Sequence, residues 1–123
     1  MRDVVIVSGA RTPVGAFEGS LRSTPVVQLG ALVIKEALKR AGLRPVASPE
    51  LSRVEPDGLK GRGMTALEKE GHDYGESLRP VQIDEVIMGN VVGTGQGQNV
   101  TRQAMIRAGI PKETTAFTVN KVC

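Results

Sequence analysis

Three short runs rich in β-branched residues, at 3–10, 83–92 and 115–120, are separated by two stretches of helical period, at 26–41 and 100–108. That alternation restricts the chain more than any other feature. Strand, helix, strand, helix, strand points to parallel pairing, with each crossover laying a helix on the sheet. The expectation is an α/β fold in which residues 3–10 (DVVIVSGA) form a buried first strand. Thr24 is placed to cap the first helix and Pro25 to occupy its first turn. Val26, Leu29, Val33 and Ala37 share one face, with Gly30 and Ile34 flanking it. Gly42 is placed as a left-handed stop. Asn99 is placed to cap the second helix, whose buried face is Val100, Ala104 and Ala108, and Gly109 with Pro111 ends it.

Between these elements, residues 44–80 carry Pro45, Pro49, Pro56 and Pro80 among many charges and show little periodicity. Only residues 64–70 (MTALEKE) suit a helical turn or two. So long a connection without its own structure is uncommon inside a domain. The stretch reads as a surface insertion or a mobile lid.

Composition narrows the function. Hydrophobic residues at 40% and charged residues at 24% suit a globular chain. With two Phe, one Tyr and no Trp, its core must be Val, Ile, Leu and Ala. No apolar run has the roughly 18 residues of a membrane span. The first apolar run begins at Val4, which leaves no room for a signal peptide. A soluble, cytoplasmic chain is expected. The net charge of +3 is small. The basic groups Lys39-Arg40 and Lys60-Gly61-Arg62 lack aromatic stacking platforms, so they read as solvated surface, with neither nucleic acid nor membrane as partner.

The only cysteine, Cys123, rules out an internal disulfide and a cysteine-based metal site. It follows the third strand. In open α/β sheets ligands bind outside the carboxyl ends of the strands, and a helix beginning there lowers a thiol pKa. Cys123 is therefore either a nucleophile or a small buried hydrophobe. Gly93, Gly95 and Gly97 match neither a dinucleotide fingerprint nor a P-loop; they read as close backbone approach between a strand end and the next helix rather than as a phosphate cradle. His72 reads as a solvated loop residue rather than a base. Asp84-Glu85 reads as surface charge at a strand entrance. Arg11 is either an active-edge residue or an ion-pair partner that orders its loop.

Several segments together resemble the thiolases, the acetyl-CoA acetyltransferases. They are DVVIVSGARTPVG at 3–15, IKEAL at 34–38, DEVIMGNV at 84–91, GQN at 97–99 with Arg102-Gln103-Ala104, and AFTVNKVC at 116–123. The resemblance spans nearly everything outside 44–80. It implies a thiolase-like fold, the N-terminal part of a mixed sheet with covering helices, incomplete over 1–123 and carrying an insertion at about 44–80. It implies Cys123 as the acyl-accepting nucleophile. Acetyl-CoA or 3-ketoacyl-CoA would be the substrate, with coenzyme A as co-substrate, no permanently bound cofactor and no metal. The other catalytic groups of thiolases lie in later segments, so a complementing C-terminal chain or segment is implied, as is a homo-oligomer, dimer or tetramer. A carboxylate at Cys123 itself would raise its thiol pKa, and a free chain of this length is expected to be inactive. A decarboxylating 3-ketoacyl synthase of the same superfamily is the alternative enzyme. A non-catalytic assembly or binding subunit is the alternative outside catalysis.

Overall fold

The computed structural model describes residues 3–50, 53, 58 and 60–122. The elements in chain order are α1 (Val26–Arg40), β1 (Leu43–Pro45), α2 (Ala66–Gly71), β2 (Arg79–Val81), β3 (Glu85–Gly89), α3 (Val100–Arg107) and β4 (Thr115–Val119). β3 and β4 pair in parallel from Glu85 opposite Thr115 to Gly89 opposite Val119. β1 and β2 form a second parallel pair, Leu43 opposite Arg79 to Pro45 opposite Val81. The chain is α/β.

Alternation along β3 and β4 turns Val86, Met88, Ala116 and Thr118 toward the helices and leaves Ile87, Phe117 and Val119 on the open face. The core lies between α1, α3 and the inner face of β3, with Val27, Val100 and Ala104 at its centre and Ile34 and Met88 packed against them. Met105, fully buried, contributes roughly 1.5–3 kcal/mol by its removal from water.

α1 does not bury the stripe its sequence suggests. Val27, Gly30 and Ala31 are its buried residues, because small side chains let α3 approach closely. A Cβ added at Gly30 would lie 3.0 Å from Ala104 Cβ. The larger Leu29 and Val33 instead line, with Val26, Met88 and Val100, an open groove of about 260 Å³. The N-terminal cap differs too. Pro25 occupies that position without any side-chain cap bond, and its carbonyl accepts from Gln28 and Leu29. Gly42 and Gly109 end their helices at φ of +72° and +75°, as the sequence suggests.

Residues 3–10 are not a strand here. Val4 and Ile6 are 97% and 95% exposed. β-Branched composition favours extended backbone, but a strand needs a ladder partner, and among the described residues none pairs with this run.

The stretch 44–80 contributes most of β1, all of α2 and most of β2. Its base is closed by the β1–β2 ladder and by Val46 N donating to Val81 O at 3.0 Å. α2 begins with a capping box: Thr65 Oγ1 accepts from Glu68 N and Glu68 Oε2 accepts from Thr65 N. Glu68 is 1% exposed, and its Oε1 accepts from Lys112 N at 2.6 Å. Asp73 pairs with Lys35 and Lys39 of α1 at 3.1 and 3.2 Å. Desolvation pushes the Asp73 carboxyl up, but hydrogen bonds and attraction from the two ammonium groups outweigh it and leave it below its ordinary value. Tyr74 Oη donates to Ala108 O at 2.8 Å, and burial, with the Asp73 charge beside it, drives the phenol well above its ordinary pKa. These contacts fall at the C-terminal end of α3. That helix has 8 residues and is about 12 Å long, so the described part of 44–80 lies away from the edge where β3 and β4 finish and forms no lid over it.

Candidate functional site at the carboxyl edge of the sheet

β3 and β4 finish side by side, and Asn90 N donates to Val119 O at 2.9 Å to extend their ladder by one bond. The chain leaving β4 through Asn120 therefore emerges beside the loop leaving β3. That loop turns back at Gly95 and Gly97, at φ of +76° and +82°, where any other residue would be strained. Carboxamides hold it closed. Asn90 Nδ2 donates to Gln96 Oε1 at 2.6 Å, and Gln103 Nε2, reaching from α3, donates to Gln96 O and Gln98 O at 2.9 and 3.0 Å. A Cβ at Gly97 would stand 3.0 Å from that same Gln103 nitrogen.

The start of α3 is pinned to β4 by one connected set of bonds. Asn99 Oδ1 caps the helix by accepting from Arg102 N at 3.1 Å, while Asn99 Nδ2 donates to Ala116 O at 2.9 Å. Thr118 Oγ1 donates to Asn99 Oδ1 at 3.3 Å and accepts from Thr101 N at 3.1 Å. Thr101 Oγ1 lies 2.9 Å from it and completes the chain. Between loop, helix start and strand end lies a cavity of about 270 Å³, lined by Asn90, Gly93, Gly97, Asn99, Thr118 and Asn120 among others. Its walls are amides, a hydroxyl, backbone and one apolar residue, Val100. They orient polar ligands by hydrogen bonding but include no group that titrates near neutrality. Covalent or acid–base chemistry at this edge requires residues from beyond its described lining.

The residues singled out in the sequence distribute unevenly around this edge. Cys123 lies outside the described residues, which run to Val122. Gly93, Gly95 and Gly97 are at the edge, in the tight-turn role. Arg11 is exposed and its Nη1 donates to Thr12 O at 3.1 Å; it does not line the cavity. Asp84 and Glu85 are exposed at the entrance of β3, the opposite end of the strand. His72 is half-buried rather than solvated: its Nδ1 is 3.1 Å from Gly109 O and its ring packs 5.1 Å from that of Tyr74. The backbone of the α3–β4 turn supplies the partner that the loop sequence does not reveal. Sequence reasoning gives Asn99 only as a helix cap; the bonding of Asn90, Gln96 and Gln103 around the loop escaped it, although their clustering about one glycine-rich loop was the available signal.

Similarity to known proteins is consistent along the chain. Residues 4–55 and 63–123 match the profile of the family described as "Thiolase, N-terminal domain"; residues 56–62 fall within 44–80 and outside the match. The acetyl-CoA acetyltransferase of Syntrophomonas wolfei is 44% identical over 122 residues, 99% of this chain and 22% of that protein. The acetyl-CoA acetyltransferase of Cupriavidus necator is 43% identical over 123 residues, 100% of this chain and 22% of that protein. The crystal structure of a thiolase from Ascaris suum in complex with coenzyme A superposes with a TM-score of 0.64 at 34% identity, over 99% of this chain and 23% of that one. The chain thus spans about a fifth of the length of these relatives. With its strand-end architecture and both matched segments taken together, the chain belongs to the thiolase family and has the fold of that family's N-terminal domain.

Proposed function

We propose that the chain is the N-terminal portion of a thiolase-like domain, with 44–80 as an insertion. In this reading it carries the nucleophile of an acetyl-CoA C-acetyltransferase or 3-ketoacyl-CoA thiolase. The observation that carries the reading is the segment 116–123. It resembles the thiolase segment ending at the acyl-accepting cysteine, and β4, which contains its first half, finishes beside the polar cavity. The names of the acetyl-CoA acetyltransferase relatives and the coenzyme A complex of the Ascaris thiolase support the same chemistry.

The Cys123 thiolate attacks the thioester carbonyl of an acyl-CoA; coenzyme A leaves as its thiolate and the acyl group rests on Cys123 as a new thioester. In condensation, a base removes an α-proton from a second acetyl-CoA. The resulting carbanion attacks the acyl-enzyme, giving acetoacetyl-CoA and returning the Cys123 thiolate. Thiolysis is the reverse. A sulfur nucleophile suits a reversible transfer because one thioester is exchanged for another of similar energy. The α-proton base and the donors to the two oxyanions come from the complementing C-terminal part. A polypeptide of these 123 residues alone is accordingly inactive. The assembled enzyme is cytoplasmic and homo-oligomeric, and it holds no permanent cofactor.

Steady-state kinetics on the chain together with its complementing part tests this reading. With acetoacetyl-CoA and coenzyme A varied against each other, double-reciprocal plots are expected to be parallel, the sign of a covalent acyl-enzyme formed before the second substrate reacts. Intersecting lines, or a requirement for acyl carrier protein, would contradict it.

A further inference from the structure

Residues 65–74 make an unusual set of bonds to a single target, the turn between α3 and β4. Glu68, 1% exposed, commits one carboxylate oxygen to Thr65 N within its own helix and the other to Lys112 N. Tyr74 Oη donates to Ala108 O, and His72 Nδ1 bonds Gly109 O. Between these polar contacts the two backbones touch. A Cβ at Gly71 would lie 2.3 Å from Arg107 O, and one at Gly109 would lie 2.6 Å from His72 Cα. The same segment is tied to α1 through Asp73, held by Lys35 and Lys39. From the α3 side Arg102 grips the turn at Lys112 O and Thr114 O.

We infer that residues 65–74 are a clamp that fixes the entry of β4 by holding the turn Ala108–Thr114 against α1, so that this surface segment and β4 open as one unit. The clamp has little slack: both oxygens of Glu68 and the hydroxyl of Tyr74 are paired, and its backbone contact leaves no room for a methyl group. Loosening any part of it therefore exposes the amides of the turn and of the strand that follows. The inference concerns local opening and stands apart from acyl transfer.

Hydrogen exchange followed by mass spectrometry, under native conditions on the full-length polypeptide, tests it without turnover. Glu68→Gln keeps the shape but turns an amide nitrogen toward one of the two backbone N–H groups and orphans it. Exchange across residues 110–119 is expected to rise about tenfold or more, while residues 27–34 of α1 keep their rates. Tyr74→Phe removes one hydrogen bond with little change of volume, and is expected to raise exchange in the same residues by a smaller factor. A rise confined to 65–74, or an equal rise across the whole chain in both variants, would overturn the inference.

Discussion

Cys123→Ala is expected to abolish acyl transfer, lowering kcat by at least about 10³-fold, with the fold retained. Alanine has no electron pair to form the thioester, and the transfer loses its two-step path. What survives is the catalysis that binding and oxyanion donors supply by themselves, which in nucleophile-deleted enzymes is a small residue. The substitution removes one sulfur atom and adds no bulk, so the fold is expected to survive it. Cys123→Ser sharpens the experiment. A hydroxyl is a far weaker nucleophile than a thiolate without a dedicated base, so serine should restore little. Kinetics with acetoacetyl-CoA and coenzyme A, beside circular dichroism to check folding, decide it. Near-normal turnover in the alanine variant would place the nucleophile elsewhere.

The largest stability effect is expected at Gly109. Its φ of +75° costs a side-chain-bearing residue about 1–2 kcal/mol. The added Cβ would also lie 2.6 Å from His72 Cα and 2.7 Å from His72 N, both backbone atoms that cannot swing away. Overpacking of that kind costs about 1–3 kcal/mol. Gly109→Ala should therefore destabilise by roughly 2–5 kcal/mol, a large share of the stability of an ordinary domain. Two companions separate the causes. Gly42→Ala meets strain at φ +72° with open space around it, and should cost only the strain. Gly71→Ala meets the clash, 2.3 Å from Arg107 O, without a left-handed backbone, and should cost the overpacking less a small gain in helix propensity. Urea denaturation midpoints are expected to be lowest for Gly109→Ala, with Gly42→Ala and Gly71→Ala both above it. Equal midpoints for Gly42→Ala and Gly109→Ala would mean that the docked backbone contact contributes nothing.

What was legible in the sequence follows from how local the cause was. Asn99 as a cap, Gly42 and Gly109 as helix stops, and strands within 83–92 and 115–120 depend on a few neighbouring residues, and all appear as read. The buried stripe of α1 differs from the one its hydrophobic pattern suggests because side-chain size decides where another helix can approach; Gly30 and Ala31 admit α3, while Leu29 and Val33 face an open groove. Residues 3–10 carry a strand's composition, but a ladder depends on a partner that no local pattern specifies. The stretch 44–80 hid its role for a similar reason. Nothing local marks Glu68, Asp73 and Tyr74 as contact residues until the turn at 108–112 and the lysines of α1 are brought to them. At the candidate site the glycines announce a tight loop, whereas the carboxamide bonds that close it join Asn90 just after β3, the loop and α3.

The central claim is that an acyl group rests on Cys123 during turnover. Its most direct test is to mix the complete enzyme with isotopically labelled acetyl-CoA, quench in acid, digest, and map the label by mass spectrometry. One acetyl group on the peptide containing Cys123, discharged when coenzyme A is added before the quench, is the expected result. Turnover with an unmodified Cys123 peptide, or with the acetyl group stably attached to another residue, would contradict it.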